Sequence, residues 1–118
     1  MGDKAIFLDR DGTLIQNGLE RRCEDLSWIH LLPGVRAACE RLRELGFRLF
    51  MVTNQACIAR GESTFERQFQ VCYRVAEDLR VEDFRICAHA SSENCNCRKP
   101  APGMILDLAS AYNIDLAR

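Results

Sequence analysis

Apolar residues fall along this chain in two kinds of run. Three runs are short and nearly continuous: Lys4 to Leu8, Phe47 to Val52, and Phe84 to Cys87. A short apolar run without polar alternation predicts a strand buried on both faces, as inside parallel sheets. Between these runs the apolar positions recur at helical spacing. Val35, Ala38, Leu42 and Leu45 predict one face of a helix from about Pro33 to Leu45, stopped by Gly46. Ser63-Thr64-Phe65-Glu66 matches a capping box and predicts a second helix, with Phe65, Phe69, Cys72, Ala76 and Leu79 along its buried face. Pro100-Ala101-Pro102-Gly103 leads into a third helix through about Tyr112, with a buried stripe of Ile105, Leu108, Ala109 and Tyr112. The polar stretch Asn17 to Leu26 reads as a loop or small hairpin flap over the first strand's end, followed by an apolar patch at Trp28, Ile29, Leu31 and Leu32. Strands alternating with helices predict an α/β fold with a parallel sheet and right-handed crossovers.

Composition narrows this picture. A chain of 118 residues is sized for one domain, here 1–118. The net charge of -1 provides no basic field for nucleic acid or an anionic membrane. No apolar run approaches the roughly 20 residues that span a bilayer, and no secretory signal is visible. Seven cysteines are an odd number for a disulfide framework, so a reducing, cytoplasmic setting is expected.

Each predicted strand ends in polar residues. The first runs into Asp9 and Asp11, the second into Thr53 and Asn54, and Arg98 and Lys99 come after the third. Loops at the carboxyl ends of parallel strands converge in space. Two carboxylates this close repel each other unless a cation sits between them. A hard divalent ion such as magnesium suits oxygen ligands of this kind. Taken alone, Asp-x-Asp-Gly can equally be a polar turn. With a hydroxyl, an amide and two cations converging on it, the set suits an anionic substrate, and phosphate fits best.

Asp9-Arg10-Asp11-Gly12-Thr13, Thr53-Asn54-Gln55 and Lys99-Pro100 resemble the first three motifs of the haloacid dehalogenase superfamily of phosphohydrolases. Cys87-Ala88-His89 with Cys95-Asn96-Cys97-Arg98-Lys99-Pro100 resembles its zinc-containing branch, which holds phosphatases of heptose bisphosphate and of histidinol phosphate. The resemblance implies a Rossmann-like sheet with a minimal cap and a zinc loop. It implies Asp9 as the nucleophile and a magnesium ligand, and Asp11 as the acid–base group whose backbone carbonyl also binds the metal. Thr53 and Lys99 would hold the transferring phosphoryl group, and Arg10, Asn54, Gln55 and Arg98 would contact substrate. The spacing Cys-x-His-x5-Cys-x-Cys suits a closed tetrahedral zinc site of Cys87, His89, Cys95 and Cys97. A redox pair at Cys95 and Cys97, or a chance cluster of buried cysteines, is the alternative. Ile58-Ala59-Arg60-Gly61 and Pro100-Ala101-Pro102-Gly103-Met104 look more like the heptose enzymes, so the resemblance implies D-glycero-D-manno-heptose 1,7-bisphosphate as substrate. Histidinol phosphate, or a non-catalytic zinc-bearing fragment, is the alternative.

Three departures stand out. Ala56-Cys57 occupies a place where the family usually has Ser-Gly, and Asn17 to Glu20 matches the family's substrate loop loosely. The superfamily's fourth acidic motif also has no counterpart, since neither Asp107 nor Asp115 is placed to substitute. The expectation is a C-terminally truncated domain lacking the last strands, with the first strand left as an apolar edge and with a monomer as the full-length form.

Overall fold

The computed structural model describes residues 3–15, 29–89, 95, 99 and 101–117. Its elements in chain order are β1 (Ala5–Asp9), α1 (Val35–Glu44), β2 (Arg48–Asn54), α2 (Ala56–Ala59), α3 (Phe65–Leu79), β3 (Asp83–Cys87) and α4 (Gly103–Tyr112). The three strands form a parallel sheet in the order β1-β2-β3. β2 is central, and its apolar run is buried from Leu49 to Thr53. Successive side chains of a strand point to opposite faces. Leu49 and Met51 accordingly meet α1 and α3 on one side, packing with Val71, Cys72, Val75 and Leu79. Phe50 and Val52 meet α4 on the other, packing with Met104 and Leu108. The residues of β1 are half-buried up to Leu8, as befits an edge among the described strands.

The register sets the site. Asp9 lies opposite Val52, Thr53 opposite Ile86 and Asn54 opposite Cys87. All three strands therefore deliver their last residues to one end of the sheet. β2 runs two residues beyond its expected end, because Thr53 and Asn54 continue the pairing with β3.

The helices differ from expectation in which face they bury. In α1, Ala38 and Leu45 are exposed, and the inward line is Val35, Cys39 and Leu42. In α3 the buried residues are Gln68, Val71, Cys72, Val75, Ala76 and Leu79, while Phe65 and Phe69 are exposed. Val71 and Val75 complete a wide aliphatic face that close-packs against the flat sheet, which turns the aromatics to the shoulder. There Phe69 sits edge-on to Phe84, with ring centroids 5.1 Å apart. The expected capping box is also displaced by one residue. Thr64 is the N-cap, its hydroxyl accepting from the Arg67 N–H at 3.1 Å. Ser63 instead accepts from the side chain of Gln68. The stretch Asn17 to Leu26, expected as a loop or flap, and Trp28 of the apolar patch lie outside the described residues.

Candidate active site

The chain turns sharply after β1. The Arg10 carbonyl accepts from Leu14 N–H at 2.9 Å and Ile15 N–H at 3.1 Å, and Gly12 takes the left-handed φ of 79° that the turn requires. This turn leaves the carboxylate of Asp9 about half exposed at the end of the sheet. It sends Arg10 the other way. The Arg10 side chain is fully buried, its Nε donating to Asp11 Oδ1 at 2.8 Å and a terminal nitrogen to Asp11 Oδ2 at 3.1 Å. Another terminal nitrogen reaches Cys72 Sγ on α3 at 3.5 Å. Burial works against the charge of Arg10, but the hydrogen bond and charge of Asp11 hold its pKa above the ordinary guanidinium value. Burial pushes the Cys72 thiol up, against the pull of Arg10. Arg10, expected to contact substrate, thus has its guanidinium inside the protein, braced on Asp11.

Lys99 meets this end of the sheet from the loop before α4. Its Nζ bonds the Asp9 carboxylate and donates to the Val52 carbonyl at 3.1 Å. Asn54 grips the same residue by its main chain. The Asn54 Oδ1 accepts from Lys99 N–H at 2.9 Å, and Asn54 Nδ2 donates to the Lys99 carbonyl at 3.4 Å. Asn54 was expected to contact substrate; in the structure its amide holds the Lys99 main chain. Thr53 is buried next to it, and Thr53 Oγ1 accepts from Gln55 Nε2 at 2.9 Å. Gln55 Nε2 also donates to Asp11 Oδ2 at 2.7 Å. The structure therefore gathers Asp9, Asp11, Thr53 and Lys99, with Arg10, Asn54 and Gln55 turned toward protein partners around them. Arg98 lies outside the described residues.

A second cluster begins where β3 ends. The ligand atoms of Cys87, His89 and Cys95 lie within 4.8 Å of one another. Cys87 Sγ is 3.5 Å from His89 Nδ1 and 3.5 Å from Cys95 Sγ. Zinc–sulfur and zinc–nitrogen bonds of ordinary length, at tetrahedral angles, put neighbouring ligand atoms ~3.5–3.8 Å apart. The three residues fit a zinc ion on spacing and chemistry alike; Cys97, the fourth expected ligand, lies outside the described residues. Sequence reading had no means of finding the link between the two clusters: the Cys87 carbonyl accepts from the Gln55 N–H at 2.7 Å.

A groove of about 640 Å³ between α3 and β3, lined by Phe65, Phe69, Tyr73 and Phe84 among others, shares no residue with either cluster. Among the described residues no helix is long and apolar enough to cross a membrane.

Parallel strands that present an aspartate, a threonine and a lysine-bearing loop at their carboxyl ends define a phosphatase fold of the haloacid dehalogenase type. The chain belongs to the polynucleotide kinase 3 phosphatase family, whose model matches residues 4–117. It is similar to the D-glycero-beta-D-manno-heptose-1,7-bisphosphate 7-phosphatase of Yersinia pestis, 38% identical over 126 residues that cover 96% of this chain and 65% of that protein. It is similar to the histidine biosynthesis bifunctional protein HisB of Legionella pneumophila, 37% identical over 109 residues covering 86% of this chain and 30% of that one. Among solved structures it resembles the D,D-heptose 1,7-bisphosphate phosphatase of B. bronchiseptica complexed with magnesium and phosphate, with a TM-score of 0.79, 31% identity, and coverage of 96% of this chain and 65% of that one. The chain thus spans about two thirds of the length of these heptose bisphosphate phosphatases.

Proposed function

We propose that the chain is a magnesium-dependent phosphoric monoester hydrolase acting on a sugar bisphosphate, D-glycero-D-manno-heptose 1,7-bisphosphate, from which it releases one phosphate to leave the 1-phosphate. The observation that carries this is the contact of Lys99 Nζ with the Asp9 carboxylate at the carboxyl end of β1. That contact orients the attacking oxygen and places a cation where the phosphoryl charge arrives. A carboxylate oxygen of Asp9 attacks phosphorus, the bond from phosphorus to the sugar oxygen breaks, and Asp11 gives that oxygen a proton. Water then attacks the aspartyl phosphate, Asp11 takes a proton from it, and inorganic phosphate leaves Asp9. Thr53 donates to the phosphoryl oxygens, and Lys99 neutralises their charge.

The carboxylate of Asp9 and the backbone carbonyl of Asp11 are the oxygens suited to hold magnesium. When bound, that ion supplies charge neutralisation at the phosphoryl group. Cys87, His89, Cys95 and Cys97 would hold zinc as a structural ion, and Arg98 would recognise substrate. The partner required is a small phosphorylated molecule in a reducing cytoplasm, with no role for nucleic acid or membrane.

Similarity to the bifunctional histidine biosynthesis protein favours histidinol phosphate as a second substrate to test. Phosphate release from both compounds, with and without magnesium, is the test. Turnover that vanishes in Asp9→Asn is expected, faster on the heptose bisphosphate. Release from neither compound refutes the catalytic assignment for this chain and favours a non-catalytic, zinc-bearing unit.

A further inference from the structure

We infer that Gln55 is a positioning residue, which aims the Asp11 carboxylate and the Thr53 hydroxyl and makes no contact with substrate. This rests on the phosphoryl-transfer roles given to Asp11 and Thr53 above. The Gln55 side chain is only 3% exposed. Its amide nitrogen has two hydrogens, and both have acceptors: Asp11 Oδ2 at 2.7 Å and Thr53 Oγ1 at 2.9 Å. Its Oε1 takes the Cys57 thiol at 3.4 Å, and its backbone N–H is held by the Cys87 carbonyl at 2.7 Å. The orientation of the amide follows from chemistry. Turned over, Oε1 would face the Asp11 oxygen at 2.7 Å, acceptor against acceptor. Cys57, where the family usually has glycine, adds a donor on the side where the correct orientation needs one.

Two consequences follow for the reacting groups. A carboxylate offers about four lone-pair sites. Among the described residues, Asp11 Oδ2 accepts from Arg10 and from Gln55 and Oδ1 accepts from Arg10 Nε, so the guanidinium and the amide together fix the plane of the carboxylate. At Thr53, the Gln55 N–H occupies one lone pair of Oγ1. The hydroxyl hydrogen is left to point elsewhere, toward an incoming phosphoryl oxygen. One buried amide thus sets the proton carrier and the phosphoryl donor relative to each other.

The test uses the 118-residue chain with Gln55→Leu and Gln55→Glu. Leu removes both donors, and Glu sets a second carboxylate against Asp11. With magnesium and heptose 1,7-bisphosphate, kcat should fall ~10–100-fold in Gln55→Leu and further in Gln55→Glu. KM should stay within about 3-fold, since misaligned chemistry lowers kcat rather than binding. A KM rise of about 10-fold or more, whatever kcat does, would make Gln55 a substrate contact and overturn the inference. NMR of the side-chain amides gives a readout that needs neither substrate nor metal. The Gln55 amide protons should exchange slowly in the unmodified chain and shift in Thr53→Val and in Asp11→Asn. Fast exchange, or no response to either substitution, overturns the inference even if the variants fail to fold. If the unmodified chain hydrolyses neither substrate, the catalytic assignment fails, and the amide signals still decide whether Gln55 joins Asp11 to Thr53.

Discussion

Arg10→Met separates a structural guanidinium from a substrate-binding one. Methionine keeps much of the volume and flexibility of the stem but removes the fork that grips Asp11 through Nε and a terminal nitrogen. Breaking a buried ion pair from one side typically costs ~3–5 kcal/mol, mostly for the charge left behind. Here the abandoned partner is Asp11, which is 17% exposed and keeps its bond from Gln55. Water and that amide soften the loss, so ~2–3 kcal/mol is the expected cost. An unfolding entropy of about 2.1 cal/mol/K per residue gives ~0.25 kcal/mol/K for a chain of 118 residues. The melting temperature should therefore drop by roughly 8–12 °C. Asp11→Asn, which leaves the fully buried cation facing a neutral amide, should cost at least as much. The double variant should lose clearly less than the sum of the two, because the residues form one unit. Thermal unfolding followed by circular dichroism measures all three. A melting temperature within about 2 °C of the unmodified chain, combined with weaker binding of a phosphate ester, would show that Arg10 faces substrate and would refute the inward assignment.

Three further predictions concern the frame. Thr64→Ala should cost ~1 kcal/mol, the usual value of an N-cap, and Glu66→Ala less than about half of that; the reverse order, measured by denaturant unfolding, would restore the capping box at Ser63. For Asp83, burial opposes the charge, but hydrogen bonds from the Tyr112 hydroxyl, the Arg85 guanidinium and the Phe84 N–H hold its pKa below the usual carboxylate value. A depressed folded-state pKa contributes stability above the unfolded-state pKa and loses it as pH falls through the folded one, so Asp83→Asn should flatten the loss of stability on acidification below about pH 4; equal slopes for both proteins would contradict this. Removing zinc with a chelator should lower stability and disturb the Gln55 amide signals, since Cys87 is both a candidate ligand and the acceptor for Gln55 N–H; native mass spectrometry of metal-replete protein without one zinc per chain would sink the zinc assignment.

The sheet was legible in the sequence because each strand is built on a short, largely apolar run, and the first two stop at polar residues. Ile6 to Leu8, Leu49 to Val52 and Phe84 to Cys87 could hardly pack otherwise, and the parallel order brings Asp9, Thr53 and Asn54 to one end. Helix faces were less legible. The periodicity of α3 is satisfied almost equally by a stripe through Phe65 and Phe69 and by one through Val71 and Val75. Packing against a flat sheet decides between them, and periodicity does not contain it. Residue type pointed outward for Arg10, Asn54 and Gln55, since such side chains are mostly exposed. The structure turns all three inward because each has a partner distant in sequence or beyond its own strand: Cys72 for Arg10, Lys99 for Asn54, Asp11 for Gln55.

Those inward contacts explain why the outward set can hold its geometry at an open sheet end. Asp9 and Lys99 are partly exposed, and exposed ion pairs by themselves fix little. What fixes Lys99 is the pair of hydrogen bonds from Asn54 to its main chain, with the Val52 carbonyl aligning Nζ. What fixes Asp11 is Arg10 on one side and Gln55 on the other. Each outward group is thus paired with an inward one that is buried or half-buried. A substitution in the inward layer should cost geometry before it costs affinity, and that asymmetry is what kcat and KM would separate.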